Sequence, residues 1–380
     1  MVFILDSTLR EGEQTPGVYF DIHVKIAIAH LLSNIGINFI EAGHPAVSQE
    51  IKDVVSRLVN LNIRPKIGAH SRSLKEDIDQ AIECNVQFLG IFYCVSNGRL
   101  QEIHKKPLVQ ALENITQTIR YAREKNSKLL IRYTPEDTVR SDFENVMKAS
   151  IAAVEAGADI ISIADTTGYM IPGTENDMYD YIMRFKNRLA ENGLQPTIAV
   201  HCHNDRGYAL ANTIDAFRAG AEILDASVLG LGERAGIVDL AQLLLTLHGD
   251  FHEKNSWNLR FLPELYSLVS RFTNIPIPVN FPIIGKNAFT HCAGIHTHAA
   301  TINPSHYQSI DPSIVGRSIE ICLDNMAGLS SIDYMLKRIG IQPTHDLAIK
   351  VLNEVKLVGR KGRVVDEDEL RYIVTMCTLK

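Results

Sequence analysis

Eight short apolar runs, each followed by an amphipathic stretch of helical length, predict an α/β chain folded as a TIM (β/α)8 barrel. Two further observations support that fold class. The runs are almost continuously apolar, as in strands covered on both faces by helices. Glycine closes several of the helical patterns, at Gly36, Gly157 and Gly220, where it relieves left-handed strain.

The strand patterns cover residues 2–6, 39–42, 65–70, 88–95, 128–133, 160–165, 197–203 and 223–228. Helical patterns lie between them, among them 21–35, 108–125, 136–156 and 208–219, and the eighth unit ends near Gly249. Closure into a barrel accounts for eight alternations better than an open sheet does. The barrel is therefore expected over residues 1–273, followed by a small, mostly helical C-terminal extension. Residues 274–282 (NIPIPVNFP) are proline-rich and read as an extended linker. A first small subdomain is expected over 274–345 and a second, partial one over 346–380.

The formal charge of −6, with both signs interspersed, gives no reason to expect nucleic acid or an anionic membrane as partner. No apolar run approaches the roughly 20 residues that a membrane span needs. The first residues, MVFILDSTLREGEQ, lack the basic region and cleavage site of a secretory signal. Six scattered cysteines without a CxxC pair read as reduced thiols, so a cytoplasmic location is expected.

A barrel of this kind carries its active site at the C-terminal ends of its strands. Polar residues collect there. The first run ends at Asp6 and leads to Thr8, Arg10 and Glu11; the second ends at Glu41 and the third at His70. The fifth carries Arg132, Thr134 and Glu136, the sixth Asp165 and Thr166, and the seventh His201, His203, Asn204 and Asp205. The eighth leads into GLGERAG with Glu233 and Arg234.

His201 and His203 stand two apart on a strand and so project to one face. Two imidazoles there can bind one divalent ion, with a carboxylate completing the set; the plainer alternative is ordinary hydrogen bonding at a strand end. Cys202 points the other way and reads as packing. Arg10 and Glu11 sit in a glycine-containing turn, REGEQTPG, at the end of the first strand. A carboxylate there can be a third ligand, and a guanidinium can neutralise an enolate oxygen; a solvated salt bridge is the alternative.

The motifs DSTLREGEQTPG, ADTTG, HCHNDRGYALAN, GLGERAG and GKNAFTHCAGIH resemble, in order, those of the metal-dependent acyl-CoA-condensing family. That family includes homocitrate, 2-isopropylmalate and citramalate synthases, with 3-hydroxy-3-methylglutaryl-CoA lyase as a cousin. The resemblance implies condensation of acetyl-CoA, as co-substrate, with a 2-oxo acid at a divalent metal (Zn, Mn or Mg). It also implies a homodimer in which the tail of one subunit covers the other's site. By the same resemblance Glu11, His201 and His203 are metal ligands and Arg10, Glu136 and His296 are catalytic. Arg10 also binds substrate, together with Glu41, His70, Arg132, Thr134 and Thr166.

Glu11 and Arg132 resemble homocitrate synthases most, which implies a dicarboxylic acceptor, 2-oxoglutarate first. A buried second carboxylate needs a fixed cation and donors, which Arg132, His70 and Thr134 would supply. For Arg132, pairing with Glu136 or Asp137 is the plainer alternative. Other acceptors remain open: those of 2-isopropylmalate and citramalate synthases, oxaloacetate, and phosphonopyruvate. Four positions depart from the family pattern. Ala199 stands where homocitrate synthases carry glutamate, Ile319 where many relatives carry tyrosine or histidine, LDNMAG replaces an LGKHSG-like stretch, and His44 replaces an apolar residue. A lyase is disfavoured because GLGERAG lacks the cysteine that the cleaving cousins place there, and a non-catalytic metal-binding protein is the remaining rival.

Overall fold

The computed structural model describes residues 2–253 and 255–379. Its chain divides into two compact units, Met1–Pro276 and Ile277–Lys380.

The first unit is the predicted barrel. Strands β1 (Phe3–Asp6), β2 (Phe39–Glu41), β3 (Lys66–Arg72), β4 (Phe88–Phe92), β5 (Leu130–Thr134), β6 (Ile160–Asp165), β7 (Thr197–Cys202) and β8 (Ile223–Ala226) close in sequence order. Every pairing is parallel, and β8 returns to β1 with Phe3 opposite Ile223 and Asp6 opposite Ala226. The helices between them are α1 (Ile22–Ile35), α2 (Gln49–Val59), α3 (Lys75–Glu83), α4 (Leu108–Lys125), α5 (Phe143–Ala156), α6 (Met178–Glu191) and α7 (Ala209–Arg218). Helices α8 (Leu240–Gly249) and α9 (Leu262–Thr273) complete the unit.

Local chemistry sets the helix ends. Asp21, Asp142 and Asp239 accept hydrogen bonds from the first free backbone N–H groups of α1, α5 and α8. Gly36 and Gly157 end α1 and α5 in the left-handed conformation, as the sequence indicated. The expected helix over 136–156 is corrected: Asp137 has φ +58°, a 3-10 turn follows at Thr138–Arg140, and the helix begins only at Phe143. The left-handed backbone at Asp137 and the Asp142 cap explain the delay, because the first interrupts a helix and the second fixes its start at Phe143. Glu136 thus lies in a loop.

Alternation along the strands sorts the barrel interior into layers. Leu5, Phe39, Phe88, Ile160, Ala199 and Ile223 form one buried apolar cluster, against which Leu130 packs. Two residues further along the same strands stand Glu41, Gly90, Arg132, His201 and Asp225. The apolar layer excludes water beneath a charged one.

In the second unit, β9 (Thr290–His291) pairs in parallel with β10 (Glu320–Ile321). Its helices are α10 (Gly294–Ile302), α11 (Leu329–Arg338), α12 (His345–Gly359) and α13 (Glu367–Leu379). One apolar core draws on residues from both sides of position 345, among them Leu323, Ile332, Leu336, Val351, Val355 and Leu370. Among the described residues no helix is long and apolar enough to cross a membrane.

Candidate active site and metal centre

A short helical turn after β1 builds the first part of the site. Asp6 accepts from both the backbone N–H and the hydroxyl of Thr8, each at 3.0 Å. The N–H groups of Arg10 and Glu11 then return to the Ser7 carbonyl, at 3.1 and 2.7 Å. Val228 N–H donates to the Thr8 hydroxyl at 2.9 Å, tying this turn to the end of β8. Burial pushes the Asp6 carboxyl up to about 7, against the two Thr8 hydrogen bonds.

The turn delivers Glu11 to the pair on β7. His201 Nε2 and His203 Nε2 lie 3.3 Å apart, and each is 3.9 Å from a Glu11 oxygen. Glu11, His201 and His203 offer ligand atoms within 4.8 Å of one another, all buried. Burial would raise the Glu11 carboxyl, but Arg10, His201, His203 and the Glu233 N–H hold it at about 2. Burial and the neighbouring His201 push His203 down to about 4. An ionised carboxylate and a neutral imidazole are the forms that a metal takes, so this donor set fits a divalent ion. A Cβ at Gly232 would lie 3.0 Å from Glu11 Cγ, so a side chain there would press on the Glu11 side chain.

Arg10 pairs with Glu11 and with Glu41, whose Oε2 lies 2.7 Å from its Nε. Glu41 is fully buried and also accepts from Ser7 Oγ at 3.0 Å and contacts His70 Nδ1 at 3.1 Å. Burial alone would raise the Glu41 carboxyl; Arg10 and His70 bring it well below the usual carboxylate range. His70 stacks on Phe92, with ring centroids 4.7 Å apart. Gly90 leaves it room, since a Cβ there would lie 3.1 Å from His70 Nδ1.

Arg132 does not pair with Glu136 or Asp137. Its fork closes on Asp225, with Nη1 to Oδ1 at 3.0 Å and Nη2 to Oδ2 at 2.7 Å. Asp225 also contacts His201 Nδ1 at 3.0 Å. Burial would raise the Asp225 carboxyl, while Arg132 and His201 lower it. Glu136 pairs instead with Arg99 at 2.6 Å, and Asp137 with Arg140 at 2.7 Å. Two buried polar atoms on β5, Arg132 Nε and Thr134 Oγ1, have no hydrogen-bond partner among the described residues.

These side chains surround one pocket of about 400 Å³, lined by Arg10, Glu11, His70, Arg132, Thr134, Glu136, Thr166, His201 and His203. Glu41 supports it from beneath through Arg10 and His70. The Thr166 hydroxyl accepts from Asp137 N–H at 2.9 Å. His44 lines the same pocket and contacts Asp77 at 3.0 Å.

His296 belongs to the second unit, on α10, where it is exposed and its ring lies 4.4 Å from that of Tyr307. Ile319 packs against that unit's core, and Leu323 and Ala327 of LDNMAG are part of it. Gly328, which ends that segment's MAG, meets Gly294 of AGIH so closely that a Cβ on Gly294 would lie 2.8 Å from Gly328 Cα.

Sequence reasoning missed Asp225, Ser7 and Gly90. A signal existed for Asp225, a lone charge inside the apolar run ILDASV. None existed for Gly90.

The fold and pocket define a (β/α)8 protein with a candidate metal site, two histidines and one carboxylate, at the C-terminal ends of its strands. A family model described as HMGL-like matches residues 1–269, and one described as homocitrate synthase post-HMGL domain-like matches 283–363. The chain belongs to the HMGL-like family. It is 43% identical over 338 residues to a homocitrate synthase of Pyrococcus horikoshii, covering 89% of this chain and 90% of that one. It is 38% identical to a probable 2-isopropylmalate synthase of Ignicoccus hospitalis, covering 98% and 91% of the two chains. The solved structure of an HMG-CoA lyase from Bacillus subtilis superposes with a TM-score of 0.60 at 22% identity, covering 73% of this chain and 95% of the lyase, and shares the fold.

Proposed function

We propose that this chain is an acyltransferase that condenses acetyl-CoA with a dicarboxylic 2-oxo acid, 2-oxoglutarate first, giving homocitrate. The observation that carries the choice of acceptor is the pair of buried donors on β5. Arg132 and Thr134 line the pocket, and their buried Nε and Oγ1 have no hydrogen-bond partner among the described residues. Unmet buried donors are costly, and a carboxylate accepting from both removes that cost. A branched apolar acceptor leaves them unmet.

Glu11, His201 and His203 would hold a divalent ion, Zn, Mn or Mg. Bound there, it would act as a Lewis acid on the keto carbonyl of the acceptor. The protein's own groups do the rest. Arg10, fixed by Glu41 and Glu11, presents its guanidinium to the oxygen on which negative charge develops. The Thr166 hydroxyl holds the C1 carboxylate, and His70 with Arg132 and Thr134 receives the distal one. A base removes a proton from the acetyl-CoA methyl, the carbon attacks the keto carbon, and water then cleaves the thioester to release CoA thiol. Glu136, steadied by Arg99, stands on the pocket wall for this proton transfer.

His296 would be supplied by a second subunit of a homodimer. Ile295 and Ile302, on the same helix, are 78% and 69% exposed, an apolar surface that suits burial against another chain. Six cysteines, none of them in a disulfide among the described residues, fit the reducing cytoplasm.

The test is CoA-thiol release from acetyl-CoA with 2-oxoglutarate, oxaloacetate, phosphonopyruvate, 2-oxoisovalerate and pyruvate, with divalent metal present. Highest kcat/KM with 2-oxoglutarate is expected. No release with any of these acceptors would sink the synthase reading, and preference for 2-oxoisovalerate would overturn the dicarboxylic pocket.

A further inference from the structure

Asp225 sits on β8 in the charged layer, 1% exposed, one inward position above the apolar Ile223. Its Oδ2 lies 2.7 Å from Arg132 Nη2 and 3.0 Å from His201 Nδ1, and its Oδ1 is 3.0 Å from Arg132 Nη1. Arg132 comes from β5, three strands away around the barrel, so the bridge crosses the interior. Both partners are almost wholly buried.

This arrangement has two chemical consequences. A carboxylate facing Nδ1 requires that nitrogen to carry the proton, which leaves the lone pair of His201 on Nε2, the nitrogen that faces Glu11 and His203. The same carboxylate occupies both terminal nitrogens of Arg132 and fixes the plane of its guanidinium. That plane leaves Nε as the guanidinium nitrogen with no hydrogen-bond partner among the described residues. A buried ion pair of this kind is not needed for stability alone, because apolar residues of similar volume usually serve as well, as they do one layer below.

We propose that Asp225 is a positioning residue that ties the two halves of the site together, orienting His201 toward the metal and Arg132 toward the acceptor's distal carboxylate. The second half of this role rests on the dicarboxylic acceptor proposed above; the first does not. One carboxylate thereby makes metal loading and acceptor recognition depend on a single residue. Asp225 touches neither the substrate nor the reacting atoms.

The test is Asp225→Asn in the full-length protein. Its amide keeps the size of the carboxylate but loses the charge and puts an NH2 donor in place of one of the two oxygens, where Arg132 or His201 also donates. Stripped of metal and titrated with Zn(II) or Mn(II) against a chelating dye, the variant should bind about 10–100-fold more weakly than the wild type. In turnover, KM for the dicarboxylic acceptor should rise at least tenfold, while KM for acetyl-CoA stays within twofold. A folded variant, by far-ultraviolet circular dichroism, with metal affinity within twofold of wild type would overturn the proposal. If the wild type releases no CoA thiol with any 2-oxo acid, the functional reading fails and the metal titration still decides the role at His201. Should the variant not fold, 15N-histidine NMR of the metal-free wild type gives the answer. A His201 ring protonated at Nδ1 supports the proposal, and one protonated only at Nε2 overturns it.

Discussion

Thr134→Val is the cleanest probe of the acceptor pocket, because it removes a hydroxyl that the protein itself does not use. Thr134 is 7% exposed, and its Oγ1 has no hydrogen-bond partner among the described residues. Valine has nearly the same shape, so no cavity opens. In the absence of ligand the variant loses no hydrogen bond and sheds a buried polar atom, so stability should stay level or rise by about 1 kcal/mol. With a dicarboxylic acceptor bound, it lacks one hydrogen bond to a charged group, worth roughly 1.5–3 kcal/mol. At about 1.4 kcal/mol per decade that is roughly a 10–150-fold fall in kcat/KM. A monocarboxylic acceptor, with nothing at this position, should fall less than about threefold, under roughly 0.7 kcal/mol. Urea unfolding and steady-state CoA release with both acceptors measure the two effects. Lost stability with unchanged discrimination between the acceptors would show that the hydroxyl is structural and refute the reasoning.

Arg132→Leu should cost more and less selectively, since it leaves Asp225 buried without its cation, a loss of about 3–5 kcal/mol in urea unfolding. Use of the dicarboxylic acceptor should still suffer more than that of a monocarboxylic one, and equal losses would confine Arg132 to supporting Asp225. His201→Ala should remove bound metal and CoA release together, as measured by elemental analysis and assay; a variant keeping both would refute the ligand assignment. Asp239→Asn tests a buried carboxyl that burial raises from 3.8 to about 6, with Gln242 N–H and Tyr266 Oη donating to it. A raised carboxyl binds its proton more tightly in the folded state. Its contribution is therefore fully present below pH 3.8 and lost as pH rises through about 6. Because asparagine does not titrate, the variant should gain on the wild type by up to about 3 kcal/mol between pH 4 and 7.5; a difference that does not change with pH would contradict the shift.

The closed barrel was legible because its signal is local and repeated. Each strand announces itself by an apolar run, and each helix by its period and its glycine or aspartate end. Element ends were less legible: β3 runs on to Arg72, while β4 stops at Phe92. Glu136 falls within the expected helix although only Val139 is apolar between 136 and 142, and the left-handed backbone at Asp137 separates it from the helix that begins at Phe143. The positions of Glu11, His201 and His203 were readable as strand-end polar residues. That they meet depends on β1 and β7 flanking β8 in the closed barrel. Asp225 was not readable as a partner of Arg132, since the two are 93 residues apart and face each other only across the barrel interior.

The layering of that interior also bears on the departures from the family pattern. Ala199 stands two residues before His201 and shares its buried layer with Leu5, Phe39, Phe88, Ile160 and Ile223, opposite Ile223 in the register of β7 and β8. A glutamate at that position would place a second carboxylate in the layer directly below Asp225, with apolar neighbours and Arg132 already held by the carboxylate above it. A buried charge without its own counter-ion is strongly unfavourable. An apolar residue at 199 and a carboxylate at 225 are thus compatible with one arginine at 132, whereas two carboxylates would compete for it. Ile319 fits a similar account in the second unit, where it packs on an apolar core. Both departures are absorbed by packing, and neither adds an unpaired charge to the layer that carries Arg132, His201 and Asp225.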